Sequence, residues 1–334
     1  QKLSAAGTAE EEIAALDSDW SKFPPAEQAA FAYARKITYE PHLLSDADIA
    51  GLREYYTDLQ ILEMTLSVAG NNAINRWKEG SGTPQSRSGT NFFRRAEGTP
   101  APNGPLPIES FLTPTPAEYQ QVLSTVVTVA RDPVTGMPTA TAVSTRPKLE
   151  SRLEVEAALA ATRKRAARLP LVEETAAREA LGDNAPEGSL PNWLRLLASF
   201  PNESRSRIRS LNAITDGRGD LSPVLKAQVS WIIARQDRAW YATGVVQQRL
   251  QDLGQSDDQI FALDGDWHEF SSADRALFQF ARHLAATPIA LTDADVAEAL
   301  EQTGPRQVVQ LINFVTSRAY FDRVTEAAGL PLEH

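Results

Sequence analysis

Catalysis needs nucleophiles, proton carriers, cations or metal ligands at workable spacing, and this chain is sparing with all of them. It has no cysteine, which removes disulfides, thiolate zinc sites, iron–sulfur clusters and cysteine nucleophiles. Its four histidines, His42, His268, His283 and His334, are scattered through the sequence. They form no ligand or triad spacing, and each reads as a surface or half-buried structural residue. The densest group of candidates is RQDRAWYATGVVQQ at 235–248. Here two cations, Arg235 and Arg238, stand beside Trp240 and Tyr241. Trp240 and Tyr241 could also line a pocket for a flat or apolar ligand. Neighbouring helical residues point about 100° apart, however, so the pair shares no stacking face. Core packing with the polar tips bonded is the simpler reading. Arg323, echoed by Arg76, completes the possible pocket, with a structural ion pair as the competing role. Arg318 and Asp322 stand four residues apart, a spacing that permits an intrahelical pair.

The triplets Asp46-Ala-Asp48 and Asp293-Ala-Asp295 could suggest metal or general-acid chemistry. Each follows a hydroxyl residue, Ser45 or Thr292, three positions before its second carboxylate. That is the pattern of a helix N-cap with acidic residues in the positive first turn, and capping explains both with one cause. There is no glycine-rich phosphate loop, zinc spacing or sustained heptad, so neither a cofactor nor a metal is expected.

Composition narrows the partners. The 334 residues are 42% hydrophobic and 23% charged, with a net charge of −10. A sequence-independent nucleic-acid binder needs clustered Lys and Arg, and the one basic run, TRKRAARL at 162–169, reads as a solvated helix face. No stretch of 18 consecutive apolar residues exists to span a membrane. The cysteine-free composition suits a cytoplasmic or an exported protein equally. The closing LPLEH is compatible with a residue of an expression tag, and His334 is given no role.

The elements that must position these residues repeat. Residues 1–84 align without a gap on 248–331, at a constant offset of 247. QKLSAAGTAEEEIAALDSDWSKF matches QRLQDLGQSDDQIFALDGDWHEF, and Trp20, Arg76 and Gly82-x-Pro84 match Trp267, Arg323 and Gly329-x-Pro331. This is a duplication. Its periodicity is helical: in SADRALFQFARHLAAT, Ala276, Leu277, Phe280, Ala281 and Leu284 line one face. The second copy has about 80 residues of helical sequence ahead of it, from Leu169 to Val246. The first copy starts just past the position of Gln247, as the C-terminal half of a unit. A half-unit exposes an apolar face, so an upstream segment or a partner chain is expected to complete it. Three regions follow: 1–84 as a half-repeat, 85–168 as a Pro/Gly-rich connection plus helical insert, and 169–334 as a complete repeat. Within the insert, 85–115 reads as irregular, 116–131 as a helix and 132–138 as a turn. ESRLEVEAALAATRKRAARL at 150–169 reads as a helix with apolar residues Leu153, Ala157, Leu159 and Ala160.

The second unit runs LPNWLRLLASFPNESRSRIRSLNAI (190–214), then DLSPVLKAQVSWIIARQDRAWYATGVVQQRLQDLG (220–254). Its Leu-Pro-Asn entry, Leu-Ser-Pro cap, arginine-rich helix end, aromatic turn and Leu-x-x-Leu-Gly resemble the alkylhydroperoxidase D and carboxymuconolactone decarboxylase superfamily. FARHLAATPIALTDADVAEAL adds to the likeness, which covers 169–331 in full and 1–84 as a half-unit. The resemblance implies an all-α helical bundle, here a tandem repeat with only the C-terminal half of its first copy. It also implies oligomerisation or a place in a larger complex. Peroxidase members carry Cys-x-x-Cys-x-x-x-His, with a glutamate about three turns earlier. By that spacing the cysteine positions fall on Ala239 and Ala242, the histidine on Val246 (Val245 in some relatives) and the glutamate on Ala227, beside Gln228. Alanine cannot attack a peroxide and valine cannot move a proton, so dithiol peroxidase activity within this chain is excluded on that alignment.

The expectation is therefore a non-redox member acting as a structural, interaction or ligand-binding subunit, leaning away from an enzyme. The alternatives are a decarboxylase-like enzyme using Arg or Tyr near the vestigial site, and a peroxidase-related protein whose active half precedes Gln1.

Overall fold

The computed structural model describes residues 7–16, 20–83, 149–202, 204, 208, 211 and 219–333. The connection read at 85–115, the helix at 116–131, the turn at 132–138 and His334 lie outside the described residues. Among the described residues every regular element is helical. The first copy supplies α1 (Glu10–Ala15), α2 (Pro25–Tyr39), α3 (Asp46–Arg53) and α4 (Asp58–Gly80). Then come α5 (Arg152–Lys164), α6 (Glu174–Leu181) and α7 (Asn192–Leu197). The second copy follows with α8 (Pro223–Asp237), α9 (Trp240–Asp252), α10 (Asp257–Ala262), α11 (Ser272–Ala285), α12 (Asp293–Thr303) and α13 (Pro305–Ala327).

The offset of 247 recurs in the helices. α10 and α13 begin and end at the positions of α1 and α4 plus 247, and α11 and α12 begin so relative to α2 and α3. Local chemistry sets these bounds. Ser45 and Thr292 each accept from the backbone N–H three residues on, and Asp48 and Asp295 bond back in return, so both triplets form capping boxes. Trp20 and Trp267 both adopt left-handed backbone, with φ of 60° and 63°, uncommon for a bulky residue. Each is held by its indole N–H donating to the carbonyl four residues earlier, Leu16 at 2.7 Å and Leu263 at 2.8 Å. Each also lies under an arginine, Arg35 or Arg282.

The two copies share one core. α4 and α13 form the largest helix–helix contact described. They approach closely at Gly80, where an added Cβ would lie 3.0 Å from Leu284 and 3.1 Å from Ile312. Two buried arginines cross between the copies. Arg76 donates to Ala285 O at 3.2 Å and Ala286 O at 3.4 Å, at the end of α11. Arg323 donates to Thr38 O at 3.2 Å, at the end of α2. Thr38 and Ala285 are themselves 247 apart, so the exchange is reciprocal. Each cation meets carbonyls that its helix leaves orphaned, at the negative end of the dipole. The two guanidinium groups also converge on Thr287 Oγ1, at 2.5 and 3.0 Å. Burial, and then the nearness of Arg323, brings Arg76 down to about 9.

Two local expectations change. The helix expected over 150–169 stops at Lys164, because Arg165 turns extended. Arg165 then donates to the Leu330 carbonyl just beyond α13, and Arg168 to the Glu326 carbonyl in its last turn. The basic run is thus partly a staple and not simply a solvated face. On α5 the core side is Val155, Leu159 and Thr162, while Leu153 is exposed. The outward face of α4 also differs from its counterpart. Ser67, Asn71, Asn75 and Lys78 stand at the positions of Phe314, Arg318, Asp322 and Thr325. The α13 set is buried, in a helix packed against α8 and α9, whereas Ser67, Asn71 and Asn75 are exposed and Lys78 partly so.

Candidate functional site

The stretch 235–248 is not one helix. α8 ends at Asp237, Arg238 takes a left-handed conformation (φ 51°, ψ 39°), Ala239 is the N-cap of α9, and Trp240 is its first residue. Ala239 and Ala242 therefore occupy the N-cap and third position of α9, both fully buried. A thiol there would feel the positive helix end, which favours a thiolate. Glu326 occupies that field instead: Tyr241 N–H donates to its Oε1 at 3.0 Å. Arg165 grips the same carboxylate through both Nη atoms, at 3.1 and 3.2 Å. Val246 lies one turn on and Ala227 in the first turns of α8, both buried.

The arginines predicted for a pocket are bonded in place. Arg235, fully buried, donates through Nε to Asp264 at 3.1 Å and through Nη1 to Glu150 Oε2 at 3.0 Å. Arg238, part-exposed, donates through Nε to Glu150 Oε1 at 2.5 Å. Burial alone would push Glu150 up, but the Arg238 hydrogen bond and the two positive charges hold it below the usual carboxylate range. Arg323 donates through Nη1 to Asp237 at 3.0 Å. Tyr241, fully buried, donates its hydroxyl to Glu333 at 2.8 Å and packs on Phe321, which meets Trp193 edge-on. Burial first, and then the Glu333 carboxylate, push its phenol well above the ordinary value. Trp240 is half-buried, with Arg235 5.7 Å from its ring centre.

The structure brings Arg235, Arg238, Trp240 and Tyr241 to one elbow, and ties Arg323 to it through Asp237. It also adds residues that local spacing could not reveal. Glu150, Glu326 and Asp264 satisfy the elbow from distant segments. His42, in the short 3-10 turn Pro41–Leu43 of the first copy, comes within electrostatic reach of Arg238, Asp237, Glu326 and Glu150. Burial, then the Arg238 charge, lowers its pKa, so the imidazole is neutral near pH 7. The other described histidines lie elsewhere. His268 is exposed against Asp266, and His283 is buried against Asp295 at 2.8 Å.

Deeper along α13, Arg318 and Asp322 are both buried and 3.9 Å apart, beyond a hydrogen bond. Neither Asp322 carboxyl oxygen has a hydrogen-bond partner among the described residues. Burial dominates and raises its pKa well above the ordinary value, despite the Arg318 charge. Among the described residues no group of three or more His, Asp or Glu side chains could hold a metal ion, and no helix is long and apolar enough to cross a membrane.

No protein-family model matches this chain, no curated protein matches it, and no solved structure matches it.

Proposed function

We propose that the chain is a non-redox relative of the alkylhydroperoxidase D and carboxymuconolactone decarboxylase superfamily, acting as a structural, interaction or ligand-binding subunit. One observation carries this reading. The two positions at the start of α9 where a thiolate would be stabilised are buried alanines, and the field there is answered by Glu326 under Arg165. The elbow thus has the geometry that suits thiol chemistry without the thiols. Assay of the purified chain for hydroperoxide consumption with a dithiol reductant tests it: turnover above the buffer rate would overturn the reading.

A decarboxylase-like enzyme is the second reading, favoured by the nearness of a neutral His42 to the part-exposed Arg238. Arg238 would hold a substrate carboxylate and His42 would move the proton. A His42→Gln variant that lost activity toward a lactone carboxylate while keeping its melting temperature would support it.

Assembly belongs to the same proposal, as a homo-oligomer or as a subunit of a larger complex. An upstream segment or partner chain completing the first repeat would seat on the outward face of α4. That face offers Ile74 and Trp77, 48% and 44% exposed, among polar neighbours. Sedimentation of wild type against Trp77→Glu reads that contact.

A further inference from the structure

Between α2 and α3 lies a cleft of about 610 Å³, lined on one side by Ala29, Ala32, Arg35 and Lys36 and on the other by Ala47, Asp48, Gly51 and Glu54. Trp20 and Tyr55 also line it. The duplicate carries larger side chains at two positions of this lining. Gln279 stands at the position of Ala32 and Glu298 at that of Gly51, while Ala47 keeps an alanine, Ala294, as its counterpart. Gln279 is bonded along its own helix: its amide oxygen accepts from Arg282 and its amide nitrogen lies 2.6 Å from His283 Nε2. Arg282 and His283 are the counterparts of Arg35 and Lys36. The second copy therefore holds a planar amide between its arginine and its histidine. The first copy has deleted that side chain and kept the arginine, stacked 3.8 Å from the centre of the Trp20 ring.

Two further details give the space a chemical preference. An imidazole can donate or accept, whereas the Lys36 ammonium only donates. An amide nitrogen would therefore lose its partner, and an oxygen in its place would gain one. Gly51 sits inside α3, where glycine is costly against alanine, yet an added Cβ would meet nothing within 4 Å. Packing does not require this glycine, and a side chain there would project into open space beside the cleft.

We infer that the cleft between α2 and α3 binds a small monocarboxylate on an apolar or aromatic body, its oxygens received by Arg35 and Lys36 where the second copy places Gln279. The body lies over Ala29, Ala32 and Gly51, toward Trp20. Asp48 already accepts from Lys36 at 2.8 and 2.9 Å and from Ser45, so an incoming carboxylate shares the ammonium with it. Glu54 at the rim opposes a second negative charge, which selects monoanions over dianions. This inference rests on the ligand-binding form of the proposed function.

Calorimetric titration of the full chain with benzoate, its neutral isostere benzamide and the dianion phthalate tests it. Benzoate is expected to saturate and to bind at least about tenfold more tightly than the other two, the scale of one charge-assisted hydrogen bond. Ala32→Gln, which rebuilds the plug of the second copy, and Gly51→Glu are each expected to weaken benzoate by about tenfold or more at unchanged helicity, by the same scale. Equal binding of benzoate and benzamide, absence of saturation, or indifference to both substitutions would overturn the inference. Hydroperoxide turnover would sink the non-redox reading and leave this result standing, so the two failures are distinguishable.

Discussion

At the scale of single residues, the elbow between α8 and α9 is a place where each arginine meets a carboxylate. On the proposed alignment, adding thiols alone should not create peroxidase chemistry. The double variant Ala239→Cys, Ala242→Cys is expected to show a thiol pKa above that of a free cysteine, because both positions are fully buried and the Glu326 carboxylate already answers the helix N-terminus. It is expected to turn over no hydroperoxide, since Val246 and Ala227 cannot relay protons. Iodoacetamide alkylation against pH and a peroxide assay read the two halves of that statement. Asp322 gives a second prediction. Its folded pKa is raised above the unfolded value, so the stability linked to it is present below about pH 4 and lost as pH rises through the folded pKa. Around it stand Arg318, Arg323, Asp237 and Glu326. Asp322→Asn, the residue the first copy carries as Asn75, removes that slope. The variant's urea midpoint relative to wild type should rise between pH 4 and pH 8, and a flat difference would refute the assignment. Sequence made the elbow's local members legible, because Arg235 to Val246 are contiguous. It could not show Glu150, Asp264, Glu326 or His42 arriving there, because chain separation hides which distant carboxylate answers which cation.

At the scale of elements, hydroxyl–acid spacing and apolar periodicity marked most helices in advance. The capping boxes at Ser45 and Thr292 fell where the triplets placed them. Thr292→Ala should cost about 1 kcal/mol in thermal unfolding. Some of that loss should also appear as weaker ordering of His283, since Asp295 serves both. The break at Arg238–Ala239 was not legible, because the sequence there has no glycine or proline to announce it; a left-handed arginine held by Glu150 makes the turn. The end of α5 was hidden for a related reason, as Arg165 leaves the helix to serve the Leu330 carbonyl beyond α13 and the Glu326 carboxylate within it. Sequence reasoning also expects a half-repeat to bare an apolar face. Here only Phe314 of the compared set gives way to a polar residue, Ser67, while Ile74 and Trp77 stay exposed where α13 buries Phe321 and Val324. Gly80→Val should be strongly destabilising, by roughly 1–3 kcal/mol, because its branches enter the side chains of Leu284 and Ile312 at the α4–α13 crossing.

At the scale of the molecule, the duplication is also the architecture. The same offset that aligns the sequence aligns the helices, and the largest helix contact joins one copy to the other. Arg76→Met should lower the unfolding midpoint by an amount equivalent to about 1–3 kcal/mol, the cost of leaving buried carbonyls unmet. It should do so in a single transition, since both copies lie in one apolar cluster. Two separate transitions in calorimetry would show that the copies unfold independently. The reciprocal reach of Arg76 and Arg323 has one more consequence. Each arginine answers a helix end in the opposite copy, so the contact does not record which chain supplies that copy. A first copy from one molecule can meet a second copy from another and make every bond described above, which is the condition for exchange of halves between molecules. Refolding at high protein concentration should therefore yield an intertwined dimer, seen by size exclusion, that returns to monomer only on unfolding and dilution.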